Sequence, residues 1–141
     1  PWIRFSLTAH YHQARTHLRR IQETEGLFRA CYELAEDRKL PERVVGPLVD
    51  AAFGFRLRNS SYREIVEMTE GDEISELTAS RDLRAVVDAK LIQPVGQKRG
   101  RYYLAQQVLL DTHQRIRASR EPKEHSDPFA LARHQLQLSL T

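Results

Sequence analysis

One stretch constrains the fold of this chain more than any other: Ile74 to Tyr103, ISELTASRDLRAVVDAKLIQPVGQKRGRYY. Ser75 to Lys90 has helical spacing. Ala79, Leu83, Val86 and Val87 fall at i, i+4, i+7 and i+8, one face of a 3.6-residue helix. Ser75 fits the N-cap, where its hydroxyl accepts from an orphan amide one turn on. Glu76 in the first turn and Lys90 in the last both suit the helix dipole. Leu91 to Val95 is then a short apolar run, Gly96 to Gly100 a basic turn, and Arg101 to Leu104 a second apolar run. Gly96 and Gly100 bracket Gln97-Lys98-Arg99, and a glycine takes the positive φ that a tight turn needs. The fold must accommodate helix, strand, basic hairpin tip and strand in immediate succession.

The segments before it are helical. Pro41 can open a helix at its first turn, and Val44, Val45, Leu48, Val49, Ala52 and Phe53 make an apolar face ending at Gly54. Gly46-Pro47 interrupts that face, so the spacing predicts a kink there or a helix that properly starts near Pro47. Phe55 to Asn59 is short and basic. Ser61 with Glu64 three residues on reads as a capping box, followed by Tyr62, Ile65, Val66 and Thr69 on a short helix that Gly71 closes. Two short helices joined by a glycine-containing turn give a helix-turn-helix. With the helix from Ser75 as recognition helix and the basic hairpin as its wing, residues 41–104 read as a winged helix-turn-helix domain. The opposite face of that helix shows Thr78, Ser80, Arg81 and Arg84, hydrogen-bonding and cationic types suited to base edges and phosphates. Lys98, Arg99 and Arg101 would project from the wing, and Arg63 joins them as a backbone contact. The bland alternative is a solvated hairpin whose charges only keep it soluble.

These residues carry a resemblance. Thr78-Ala79-Ser80-Arg81-Asp82-Leu83, then Lys90-Leu91-Ile92, then Gly96 to Tyr103 resemble the C-terminal winged helix of many bacterial Fic-family proteins, which are nucleotidyl transferases and mostly AMP transferases. Those winged helices read Thr-Ala-x-Arg-Asp-Leu, Gly-Ile/Leu-Leu and Gly-x-Gly-Arg-x-x-x-Tyr. This chain has Lys90 where Gly is usual, and a longer wing tip. Tyr62-Arg63-Glu64 extends the similarity. Pro1-Trp2-Ile3-Arg4-Phe5 is similar to the Pro-Trp-(hydrophobic)-x-Phe that opens the last helices of the Fic catalytic fold. The resemblance implies that the rest of that fold lies upstream and that residues 1–40 are its last helices.

The flanks extend the helical pattern. In residues 1–40, Leu7, Tyr11, Ala14, Leu18, Ile21, Phe28, Tyr32 and Ala35 keep a 4-3 alternation interrupted only by Glu25, on one long helix or two with a break near Gly26. Trp2, Phe5 and Ala9 add a second apolar face that asks for a neighbour. Residues 105–141 form a C-terminal helical extension. Leu104, Val108, Thr112 and Ile116 mark a helix to about Ala118, Ser119 to Ser126 a polar linker, and Asp127-Pro128 the cap of a tail with Phe129, Leu131, Ala132, Leu136, Leu138 and Leu140 on its apolar positions. The fold class is mainly α with a small β-hairpin.

Composition narrows function. At 40% hydrophobic and 29% charged, the 141 residues suit one compact domain with appendages. The net charge of +3 is compatible with nucleic acid. A lone cysteine, Cys31, leaves no internal disulfide and fits a reducing cytosol, and no apolar run reaches membrane-span length. The chain opens at Pro1 without a methionine, as a fragment of something longer would. The Fic signature His-Pro-Phe-x-x-Gly-Asn-Gly-Arg is missing: no histidine is followed by proline, and no Gly-x-Gly occurs. The inhibitory Ser/Thr-x-x-x-Glu-Gly/Asn is missing too. The expected fragment is therefore no enzyme, with no catalytic residue, cofactor or metal assigned. His10 and His17 share a face, His12 points away, and no carboxylate completes a ligand set.

On the expected recognition helix Arg81, Arg84 and Lys90 are offset by Glu76, Asp82 and Asp88, and Glu70, Asp72 and Glu73 precede it. The useful cations are Arg56, Arg58, Arg63, Arg81, Arg84, Lys98, Arg99 and Arg101, provided the fold gathers them. The expectation is a cytoplasmic DNA-binding or regulatory module, involved in transcription regulation, of a Fic-like AMPylation enzyme. Its expected partners are double-stranded DNA, the upstream Fic catalytic domain of the same chain and a second copy in a homodimer, with no membrane. Two alternatives stand: a protein-interaction or dimerisation module with a vestigial DNA surface, and a free-standing winged-helix repressor.

Overall fold

A computed structural model of the chain describes residues 1–123 and 125–129. It is mainly helical with one two-stranded antiparallel sheet. The elements are α1 (Trp2–Asp37), a 3-10 turn (Glu42–Val44), α2 (Val45–Ala52), α3 (Asn59–Glu70), α4 (Glu76–Asp88), β1 (Ile92–Val95), β2 (Tyr102–Ala105) and α5 (Gln107–Ala118). They fall into two compact units. One is Thr24–Ser119; the other joins Pro1–Glu23 to the described part of Arg120–Thr141.

In the larger unit α2 packs on α3 and α5, α3 on α4, and α4 on β1, while β2 reaches α2 and α5. Leu48, Leu57, Tyr62, Leu83, Leu91, Ile92 and Leu109 are each at most 2% exposed and form the middle of the core. From α1 this core takes Leu27, Cys31 and Ala35. It does not take Phe28 and Tyr32, which the 4-3 alternation had placed on the buried stripe and which are 40% and 45% exposed. Gly26 does not break α1. A Cβ there would stand 3.4 Å from the Ile116 side chain, about van der Waals contact, so α5 passes beside this point of the helix. On α5 the buried residues are Leu109 and the expected Thr112, with the expected Ile116 partly buried against the core; Val108 is exposed, and Leu104 belongs to β2.

Local chemistry explains the boundaries. Pro47 lies in the first turn of α2, where its missing N–H is one of the groups that has no helical partner anyway, so no kink follows. α3 begins at Asn59, two residues before the expected cap. Ser61 is therefore inside the first turn and reaches back: its hydroxyl accepts from the Arg58 N–H at 2.8 Å. Ser75 does cap α4, accepting from the Thr78 N–H at 3.1 Å.

Three helices end in the same reverse hydrogen-bond pattern. After α4, Lys90 N–H bonds the Val87 carbonyl and Leu91 N–H the Val86 carbonyl. After α1, Lys39 bonds Glu36 and Leu40 bonds Ala35; after α2, Gly54 bonds Ala51 and Phe55 bonds Asp50. The motif puts its hinge residue in the left-handed region, and φ is 62° at Lys90, 56° at Lys39 and 96° at Gly54. Two lysines thus hold a conformation that favours glycine.

The strands pair Ile92 with Ala105, Gln93 with Leu104, Pro94 with Tyr103 and Val95 with Tyr102. Tyr103 turns its own N–H and C=O away from β1 to Leu57, at 2.8 and 3.0 Å. The Pro94–Tyr103 pair is consequently a non-hydrogen-bonded position of the β1–β2 ladder, where a proline loses nothing. At the tip, Gly96 takes φ 79°, and a Cβ there would stand 3.1 Å from the Gly100 carbonyl oxygen. Gly100 takes no positive φ; Lys98, at φ 50°, supplies the other left-handed residue, inside a 3-10 turn Lys98–Gly100.

In the smaller unit the segment after α5 straps the first part of α1 through ion pairs. Arg120 pairs with the buried Glu23, Arg15 with Glu121 at 3.4 Å, and Arg4 with Asp127. The stretch expected as a linker is thus bonded at several points. Asp127 accepts from the Phe129 N–H at 3.0 Å, as a capping aspartate would. The expected tail positions Leu131, Ala132, Leu136, Leu138 and Leu140 lie outside the described residues. Among the described residues, no helix is long and apolar enough to cross a membrane.

Candidate functional site

The face of α4 turned away from the core carries Leu77, Ser80, Arg81, Arg84 and Asp88, all exposed. Leu77 is 62% exposed, and nothing in the apolar periodicity singled it out for this face. Thr78 stands to one side, half-buried, with its hydroxyl 3.0 Å from that of Ser75. Of the four residues expected to contact DNA, Ser80, Arg81 and Arg84 share this exposed face, and Thr78 serves the cap.

Beside this face is a cleft of about 500 Å³ lined by Arg58, Asn59, Ser60, Arg63, Glu76, Ser80, Lys98, Arg99, Arg101 and Tyr103. Three segments distant in sequence meet there: the start of α3, the start of α4 and the hairpin tip. Five cationic side chains face one carboxylate, Glu76, so the cleft is an anion-attracting concavity. The fold brings Arg63, Lys98, Arg99 and Arg101 to one place and adds Arg58 and Asn59. Asn59 Nδ2 donates to the Glu76 carbonyl at 3.0 Å and the Ser80 hydroxyl at 2.8 Å, tying α3 to the first turn of α4. Among the described residues, the Arg63 Nε is buried without a hydrogen-bond partner. Arg56 lies outside the cleft, its guanidinium 4.8 Å above the Tyr102 ring.

The charge balance of α4 differs from the linear tally, because Asp82 faces inward. It is 5% exposed and receives Arg43 Nε at 2.6 Å, Arg43 Nη2 at 2.9 Å and the Tyr62 hydroxyl at 2.9 Å. The hydrogen bond to Asp82 raises the Arg43 pKa above its already high value, so the guanidinium stays charged. Burial, then the bond to Asp82, pushes the Tyr62 phenol up, which keeps it a donor. Asp82 therefore subtracts nothing from the exposed face, where Arg81 and Arg84 oppose Glu76 and Asp88. A signal was present in the sequence: positions 79, 82, 83 and 86 share one helical face, and a carboxylate among apolar residues requires a cation.

Other candidates fare differently. Burial pushes the Cys31 thiol up to about 12, as befits a core residue and not a nucleophile. Among the described residues no group of three His, Cys, Asp or Glu side chains could hold a metal ion. No family model, curated protein or solved structure matches this chain.

Proposed function

We propose that this chain is a winged helix-turn-helix module that binds duplex DNA, in the C-terminal part of a Fic-like nucleotidyl transferase. The observation that carries the DNA reading is the cleft of Arg58, Arg63, Lys98, Arg99 and Arg101 opening beside the exposed Ser80, Arg81 and Arg84 of α4. An exposed polar helix face supplies base-edge contacts, and flanking guanidinia supply phosphate contacts. The order of helices and hairpin supports the winged-helix reading, and the motif residues quoted above support the Fic reading. The module itself transfers no AMP in this proposal; catalysis belongs to the upstream domain, and labelled ATP incubated with the isolated chain and candidate proteins tests that, with labelling above background as the contrary result.

A salt titration of affinity for a selected duplex and a scrambled one tests the DNA reading. Arg99→Ala weakens both about equally and lowers the salt slope by roughly one. Arg81→Ala costs about 1–3 kcal/mol on the selected site and less on the other. Wild-type affinity weaker than about 10⁻⁴ M for both at physiological salt ends the DNA reading. One observation favours a second reading, a protein-interaction or dimerisation module: Leu7, Leu18 and Ile21 leave an apolar stripe of α1 45–54% exposed. Light scattering tests this second reading, with a clean monomer as the contrary result, and the salt titration above decides whether duplex is bound.

A further inference from the structure

The buried side of α4 carries a directional polar contact, opposite the side proposed to read DNA. We propose that Arg43 is a positioning residue for the reading face: by gripping Asp82 it fixes the rotation of α4 about its own axis, and with it the sequence preference of the module. This rests on the duplex-binding reading above.

Apolar packing through Ala79, Leu83 and Val86 holds α4 down, but such contacts are non-directional and tolerate small rotations. The ties that do specify direction are polar. Asn59 holds the first turn, and Arg38 donates to the Ala89 carbonyl after the last. In the middle, the Arg43 fork meets both Asp82 oxygens while the Tyr62 hydroxyl takes a second position on Oδ2. The 3-10 turn, α3 and α4 thus converge on one carboxylate. A planar bidentate pair fixes the carboxylate plane as well as its distance, which a point-like ammonium does not.

The consequence is geometric. With side chains, a helix has a radius of about 5–6 Å, so a rotation of about 20° moves an outward side chain by roughly 2 Å. Hydrogen bonds to base edges span a window of only about half an ångström. A rotation that barely disturbs the core therefore takes Arg81 and Arg84 out of register with base edges. Phosphate contacts from flexible side chains at the cleft absorb the same shift. Arg43 should govern discrimination between sequences and leave general affinity alone.

The experiment uses the full 141-residue chain. Wild type selects a preferred duplex from a random pool, and affinities for that duplex and a scrambled one are compared for wild type, Arg43→Lys and Arg43→Met, with urea unfolding as the fold control. The expected result is a selected-over-scrambled ratio reduced about tenfold or more in Arg43→Met and less in Arg43→Lys. Scrambled-site affinity and salt slope stay at wild-type values. If Arg43→Met does not fold, Arg43→Lys carries the test. An unchanged ratio in a folded variant overturns the inference and leaves DNA binding standing, as does a wild type that binds duplex without any preferred sequence. Equal losses on both duplexes overturn it too. A wild type that binds no duplex removes the underlying reading and the inference together.

Discussion

α4 and the first part of α1 were both read from an apolar stripe, and the structure treats the two stripes in opposite ways. On α4, Ala79, Leu83 and Val86 are at most 2% exposed. On α1, Leu7, Leu18 and Ile21 are 52%, 45% and 54% exposed. Farther along the same helix the core takes Leu27, Cys31 and Ala35, while Phe28 and Tyr32 of the stripe stay largely outside. A stripe is a property of one helix; burial is a property of two surfaces. α4 has α3 and β1 against it, and its stripe even admits a carboxylate because Arg43 and Tyr62 come to meet it.

The largest expected effect probes that contrast directly. Leu83→Ala should cost about 2–5 kcal/mol in urea unfolding, since it empties a filled core site. Leu18→Ala should stay within about 0.5 kcal/mol. Similar losses at the two positions would mean that the α1 stripe is covered in solution, and would turn attention to the dimer.

Asp82→Ala sharpens the comparison within α4. It strands Arg43 and the Tyr62 hydroxyl together, and breaking a buried pair costs about 3–5 kcal/mol. Because the Arg43 side chain is 34% exposed and regains water, the low end, about 3 kcal/mol, is expected. Asp88→Ala, one face away and exposed, should change stability by no more than about 0.5 kcal/mol. Equal effects would show that Asp82 is not buried in its pair.

Cys31 tests whether the buried side of α1 is as closed as that of α4. With the thiol raised from an ordinary 9.0 to about 12, its contribution is fully present below about pH 9 and is lost as pH climbs toward 12. Wild type should lose stability across that window, and Cys31→Ala should lose less. Modification by a thiol reagent at neutral pH should follow the unfolding rate; rapid labelling of folded protein would contradict the buried assignment.

The smallest effect concerns a feature the two helices share, a lysine at the left-handed stop. Lys90→Gly and Lys39→Gly should each add roughly 0.5–1 kcal/mol, by relieving the steric cost of φ near 60°. Gly54→Ala at the equivalent stop of α2 should lose a similar amount. A loss on Lys90→Gly would imply that the lysine side chain makes a compensating contact.

What the sequence determined by itself was local: the Ser75 cap, the glycine at 71, the helix between them and Lys90, the antiparallel runs around Gly96, and the existence of the remaining helices. Each is decided by hydrogen bonds and torsions within a few residues, so composition and spacing suffice. The sequence also placed Asp82 on the inner face of α4, although a linear count of charges read it as an opponent of Arg81. Tertiary structure alone decided which stripe of α1 is covered, that α3 begins at Asn59 instead of after Ser61, and that Leu57 completes the hydrogen bonding of Tyr103. It alone decided that Arg58 and Asn59 join Arg63, Lys98, Arg99 and Arg101 around one cleft. Those outcomes depend on distances between segments far apart in the sequence. No periodicity within one segment encodes them, because a side chain's partner is fixed by where a second backbone passes and not by its own neighbours in the chain.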